Sequence, residues 1–164
     1  MKNIKVLVTR KWPKSVEEKL LDTFETTLNI SDKPLSEEEL ISAMQNYDAL
    51  LPTVTDKISS RVIECQSRRA KIIGNFGVGF NNIDINSAKK SEVVVTNTPE
   101  VLTDCTADIA MLLMLGISRR AYEGENHVRK KEWSGWRPTH MMGTKVTGKT
   151  LGLLGMGRIA QAMA

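Results

Sequence analysis

AKIIGNFGVGFNNIDINSAKKSEVVVTNTP, Ala70 to Pro99, decides the fold. AKIIGNFGVG is an apolar, β-branched strand that runs into a glycine turn. NIDINSAKKS is a short helix. EVVVTNTP, Glu92–Pro99, is another strand, closed by its proline. Strand, helix and strand at this spacing make a parallel βαβ unit.

The same alternation extends back to the N-terminus. IKVLVTR (Ile4–Arg10), TTLNI (Thr26–Ile30) and DALLPTVT (Asp48–Thr55) are strands. Helices fall between them. In PKSVEEKLLDTF, Ser15 and Glu18 have capping-box spacing, and Val16, Leu20, Leu21 and Phe24 share a face. In LSEEELISAMQNY, Ser36 and Glu39 form the box and Leu40, Ile41 and Met44 the stripe. SSRVIECQ is a third, short helix. Alternation of this kind predicts an α/β fold, a doubly wound parallel sheet with helices on both faces. Val6–Val8, Leu50–Leu51 and Val93–Val95 are apolar on both sides, as strands covered twice must be.

Composition narrows the class. The chain has 164 residues, 41% hydrophobic and 26% charged, with a formal charge of +4, enough for one domain and a little more. The densest basic cluster, Arg129-Lys130-Lys131, has no aromatic interleaving and makes no case for nucleic-acid binding. Cys65 and Cys105 show no metal or redox spacing and read as buried free thiols of a cytoplasmic protein. The longest apolar run, Ile109–Ile117, is about half of a membrane span. No metal site is expected.

Beyond Pro99 the pattern changes. Thr103 is the expected N-cap of a helical stretch reaching Trp133. Ile109–Ile117 is apolar around the whole helix, which predicts burial between domains or subunits. Trp133–Gly148 is an irregular crossing segment, with Trp133 and Trp136 as packing residues. Lys149–Gly155 opens a new strand. Gly155-Met156-Gly157-Arg158-Ile159-Ala160 then fits G-x-G-x-x-G/A between a strand and a helix, the context in which helix-start amides take a pyrophosphate. Val78, between Gly77 and Gly79 at a strand's carboxyl end, could belong to an anion-binding nest; a turn made for geometry alone explains it as well.

Four stretches, GNFGVGFNNIDINSAKK, VVVTNTPEVLTDCTADIAMLLML, the helix ending VRKKEW, and GKTLGLLGMGRIAQAMA, resemble in order and spacing the D-isomer-specific 2-hydroxyacid dehydrogenases. The resemblance is nearest to their glyoxylate and hydroxypyruvate reductase branch. It implies a flavodoxin-like substrate-binding domain over residues 1–100. Residues 101–164 would then hold an interdomain, dimer-forming helical region (103–133) and the start of a Rossmann domain. It implies that the Val78 and Gly79 amides hold a substrate carboxylate and that Leu51 and its neighbours line the cleft. Thr106, Gly155, Met156, Gly157, Arg158 and Ile159 would face NAD or NADP. Ala160 stands where most members carry glycine. The partner would be a small 2-oxo or 2-hydroxy acid.

The family's chemistry uses an Arg, a Glu and a His from the second half of the cofactor domain, and no position here matches them. His127 reads as a surface residue and His140 as part of the crossing loop. No catalytic residue is therefore assigned. The chain is expected to be the first part of a longer dehydrogenase, inactive alone, with a self-sufficient first lobe and a poorly ordered Leu151–Ala164. The alternative is a stand-alone flavodoxin-like regulatory module that binds a small carboxylate or another chain.

Overall fold

The structure, a computed structural model, describes residues 3–164. It divides into two compact units, Met1–Glu100 and Val101–Ala164.

The first unit alternates as its sequence predicts. β1 (Lys5–Val8), α1 (Lys14–Thr23), β2 (Glu25–Leu28), α2 (Glu37–Asn46), β3 (Ala49–Leu51), α3 (Ser60–Ile63), β4 (Ile72–Gly74), α4 (Ile85–Lys90) and β5 (Val94–Thr96) follow in order. All strands are parallel in the order β2-β1-β3-β4-β5. Each is shorter than its apolar run, because the ladder stops where the loops leave the sheet.

The helix starts divide. Ser36 caps α2 with both arms of the box formed: its Oγ accepts from Glu39 N at 3.2 Å, and its N–H donates to Glu39 Oε2 at 2.7 Å. The box expected at Ser15 and Glu18 does not form. Pro13 sits at the N-cap of α1, so Ser15 is already inside the helix, and Glu17 accepts the Trp12 N–H instead.

The two sheet faces differ. Register aligns Leu7, Leu50, Ile73 and Val95 in one row. That row packs with Leu40, Ala43 and Met44 of α2, Val62 and Ile63 of α3, and Ala88 of α4. Right-handed crossovers place α1 on the opposite face, alone, because β1 to β2 runs the other way along the sheet. There the row is Val6, Ala49, Ile72 and Val94. Exposure rises along it from 3% at Val6 to 44% at Ile72 and 57% at Val94. The expected double cover of Val93–Val95 is thus corrected: Val93 is buried and Val94 is bare, since α1 lies by β2 and does not reach β5.

The second unit consists of α5 (Thr103–Ser118), α6 (Ala121–Arg129) and α7 (Arg158–Met163). Leu102, not Thr103, occupies the N-cap of α5. Arg120, at φ 55°, breaks the expected single helix in two. Burial all round Ile109–Ile117 is not found: Leu113 and Ile117 are among its exposed side chains, and Ala107 alone is buried on α5. Among the described helices, the short α6 and α7 pack against it. Cys105 is likewise exposed, and Cys65 is half-buried, its thiol pKa raised by burial. Residues 149–154 form no strand, as nothing among the described residues pairs with them, whereas α7 forms and packs on α5. A Cβ on Gly143 would meet the Ser118 carbonyl at 2.5 Å, so the crossing segment lies directly on the end of α5. No described helix is long and apolar enough to cross a membrane.

Asp48 staples three strands of the first unit. Its carboxylate accepts the Lys5 N–H at 2.8 Å and both arms of the Arg69 guanidinium at 2.7 and 2.9 Å. Arg69 first, then the Lys5 amide, holds its pKa below the ordinary 3.8. A lowered folded pKa means stability that is complete above the unfolded value and lost as pH falls through the folded one. Asp48→Asn should therefore destabilise at pH 7 by less than about 1 kcal/mol, the pair being partly in solvent. The variant should also lose less than the wild type between pH 5 and pH 2, measured by urea denaturation at each pH.

Candidate functional site

In an open parallel sheet, ligands bind outside the carboxyl ends of the strands, at the point where strand order reverses. Here that point lies between β1 and β3. The loops leaving β1, β3, β4 and β5 meet at this edge.

A buried polar network ties them together. Asp56 is 2% exposed, and its Oδ2 accepts from Thr9 Oγ1 at 2.6 Å, Thr53 N at 2.8 Å and Thr53 Oγ1 at 3.3 Å. The loops after β1 and β3 are therefore joined across the switch point. Asn82 Nδ2 donates to the Thr53 and Asp56 carbonyls and to Asn75 Oδ1. Asn75, also 2% exposed, passes the chain on: its Nδ2 donates to the Gly79 carbonyl at 2.8 Å. Asp56 Oδ1 and Asn82 Oδ1 are buried without a partner among the described residues, so the network is only partly satisfied; the bonds it does make tie the loops to one another.

The loop so held is Gly77-Val78-Gly79. A Cβ on Gly77 would collide with Val54 Cγ1, so this glycine is required by packing against the β3 loop. A Cβ on Gly79 would meet nothing within 4 Å. The space over Gly79 is open, and no packing demand explains the glycine there. Among the described hydrogen bonds, neither the Val78 N–H nor the Gly79 N–H has an acceptor. Exposed apolar side chains, Val54 and Phe76, stand nearby, with Trp12 against Phe76 at 5.0 Å between ring centroids. Two adjacent free amides in such a loop suit a small anion.

Leu51, the other expected cleft residue, ends β3. Its Cδ2 lies over Gly74, its carbonyl accepts from Thr9 N at 3.2 Å, and its neighbour Val54 is the side chain that reaches Gly77. A separate cavity of about 290 Å³, lined by Phe80, Lys89, Val95 and Asn97 among others, opens beside β5; neither Val78 nor Gly79 lines it.

The glycine loop of the second unit leads into α7. Gly155 has φ +89°, a conformation that favours glycine, and Gly157 is the N-cap of α7. No side chain or backbone lies within 4 Å of a Cβ on either glycine, so a pyrophosphate has room. The Met156 carbonyl accepts from Gln161 Nε2 at 3.0 Å, closing the turn. Arg158 and Ile159 begin the helix, whose first-turn amides have no acceptors within it. Thr106 spends its hydroxyl on its own helix, donating to the Leu102 carbonyl at 2.8 Å.

His140 lies in the crossing segment, as expected. His127 is partly exposed, 27% at its side chain, and its Nδ1 lies 3.1 Å from Glu132 Oε2. Its ring sits 5.0 Å from that of His140. Burial, then Arg137, His127 and Arg120, lowers the His140 pKa. No group of three or more metal-ligating side chains occurs among the described residues.

The profile of the D-isomer specific 2-hydroxyacid dehydrogenase catalytic domain matches residues 6–162. The chain belongs to this family. The glyoxylate reductase of Thermococcus onnurineus (strain NA1) is 40% identical over 164 residues, covering 98% of this chain and 49% of that protein. The TT0316 protein from Thermus thermophilus superimposes with a TM-score of 0.88 at 35% identity, covering 98% of this chain and 51% of that one. The NADPH-dependent glyoxylate/hydroxypyruvate reductase of Sinorhizobium meliloti, in complex with NADP and malonate, gives a TM-score of 0.80 at 29% identity, covering 98% and 48%. The chain spans about half the length of the curated relatives it matches.

Sequence reasoning named the Val78–Gly79 pair as a candidate but did not name Thr9, Asp56, Asn75, Asn82 or Asn97. Their one signal is local: Thr9, Asn75 and Asn97 each directly follow a strand. The two glycines of the loop should separate on substitution. Gly77→Ala should cost roughly 1–3 kcal/mol from overpacking against Val54. Gly79→Ala should stay within about 0.5 kcal/mol of wild type. Equilibrium denaturation of the two variants measures the contrast.

Proposed function

We propose that residues 1–164 supply the acid-holding lobe and the pyrophosphate loop of an NAD(P)-dependent 2-hydroxyacid dehydrogenase acting on a small 2-oxo acid such as glyoxylate or hydroxypyruvate. The free amides of Val78 and Gly79, in a loop that needs Gly79 for no packing reason, carry this reading. Two N–H donors match the two oxygens of a carboxylate, and charge-assisted bonds of this kind are the stronger ones. A relative that binds malonate, a small dicarboxylate, supports the substrate class.

The open loop at Gly155 and Gly157 fits a dinucleotide, with Met156, Gly157, Arg158 and Ile159 to hold its phosphates. Bound there, the nicotinamide cofactor would supply the hydride. The chain's own part is to hold the acid in place. Positioning of this kind accounts for several kcal/mol of a barrier. No residue among 1–164 matches the family's proton donor, so the reading includes binding without turnover in this chain.

The exposed apolar side of α5 and α6 has a groove of about 670 Å³ that includes Leu112, Leu113, Ile117 and Tyr122. A patch of this kind marks an association surface. The family reading makes its occupant a second copy of the chain.

In a ¹⁵N-labelled chain titrated with glyoxylate, the Val78 and Gly79 amides should shift saturably; flat responses at both would remove the carboxylate reading. Mixed with NADPH and glyoxylate, the same chain should oxidise no cofactor above background. Ile117→Glu should lower the mass measured by light scattering if the helical face pairs copies; an unchanged mass would rule that face out.

A further inference from the structure

The Val78 and Gly79 amides can act together only if two successive peptide planes keep one orientation. Across a trans peptide the C=O and the following N–H point in opposite directions. Every described peptide here is trans. Whatever holds a carbonyl therefore aims the next amide.

The holders are identifiable. The Gly77 carbonyl accepts from the Thr98 N–H at 3.0 Å, which aims the Val78 N–H away from Thr98. The Val78 carbonyl accepts from Asn97 Nδ2 at 2.9 Å, which aims the Gly79 N–H away from Asn97. Both carbonyls are drawn towards the end of β5, so both free amides face the other way. The Gly79 carbonyl is fixed in turn by Asn75. The first plane is set by backbone and the second by a side chain.

We infer that Asn97 is a positioning residue for carboxylate binding, its side-chain amide holding the Val78 carbonyl so that the Gly79 N–H joins the Val78 N–H on one anion. The inference rests on the carboxylate reading above and adds a residue with no place in it. Asn97 touches no acid; it acts through one peptide plane. Asn75 has a different standing. Fully buried and bonded on both sides, it also supports the fold, so its loss would mix two effects.

The division of labour gives a signature that a general structural role would not. In Asn97→Ala the Thr98 bond to Gly77 remains, so the Val78 amide keeps its direction while the Gly79 amide loses its own. The test titrates the ¹⁵N-labelled 164-residue chain with oxamate, a mimic of a 2-oxo acid. The wild type should show saturable shifts at both amides. Asn97→Ala should keep the Val78 response, lose that of Gly79, and bind about tenfold more weakly, one hydrogen bond's effect. Asn97→Leu keeps a similarly branched side chain, removes the donor and adds no charge, and should show the same split. Unshifted amides elsewhere in the spectrum report an intact fold in either variant.

Variants that bind as tightly as wild type, with Gly79 still responding, would overturn the inference. So would an equal loss of the saturating shift at both amides, which points to general loosening of the loop. A trans-hydrogen-bond coupling between Asn97 Nδ2 and the Val78 carbonyl carbon tests the clamp separately. Coupling present with no response to oxamate in the wild type would overturn the carboxylate reading, and Asn97's role in it. Coupling absent with oxamate bound would overturn the clamp alone.

Discussion

The first unit depends on its strands being parallel. Parallel strands need crossovers that carry the chain back across the sheet, so every strand leaves it at the same end. The carboxyl ends of β1, β3, β4 and β5 are thus neighbours, although Thr9 and Asn97 stand far apart in the chain. At that edge the backbone leaves the ladder and its polar groups need partners. Thr9, Thr53, Asp56, Asn75 and Asn82 meet that need for one another. The adjacent amides of Val78 and Gly79 have no acceptor among the described residues, and such a pair of donors is what an acid can use.

The site is rigid for the same reason that it is polar. Asp56 takes three donors on one oxygen with no solvent to compete. Breaking any of these bonds would leave a further buried polar atom without its partner, so the loops are held to one arrangement. Gly77 is locked from the other side by Val54. Between these restraints the Val78–Gly79 peptide has little freedom, and carboxylate binding carries a correspondingly small ordering cost.

Apolar surface is distributed unevenly. On the face with α2, α3 and α4, Leu50 and Ile73 are completely buried; on the face with α1, the row from Val6 to Val94 grows steadily barer. α5 shows the same in the second unit, with apolar side chains on all sides and few neighbours. Parallel sheets and all-apolar helices are stable when covered on every side. These two surfaces identify where the described residues leave that requirement unmet.

The sequence by itself determined the alternation, the parallel sheet, the Ser36 cap and the two glycine turns. Each is set within a few neighbouring residues: by apolar runs, by a side chain reaching its own helix start, or by a backbone angle that glycine adopts freely. It could not show which glycine serves packing and which leaves space, since Gly77 and Gly79 differ only in what Val54 does. Nor could it show that Asn97 holds Val78, or that Asp56 joins Thr9 to Thr53, because these bonds span 19 and 47 residues of chain. It marked α5 as apolar but not as exposed, because hydrophobicity states a demand for cover and only the packed chain decides whether cover is present. Tertiary structure decided those matters by bringing the strand ends to one edge, where a backbone direction becomes a binding site.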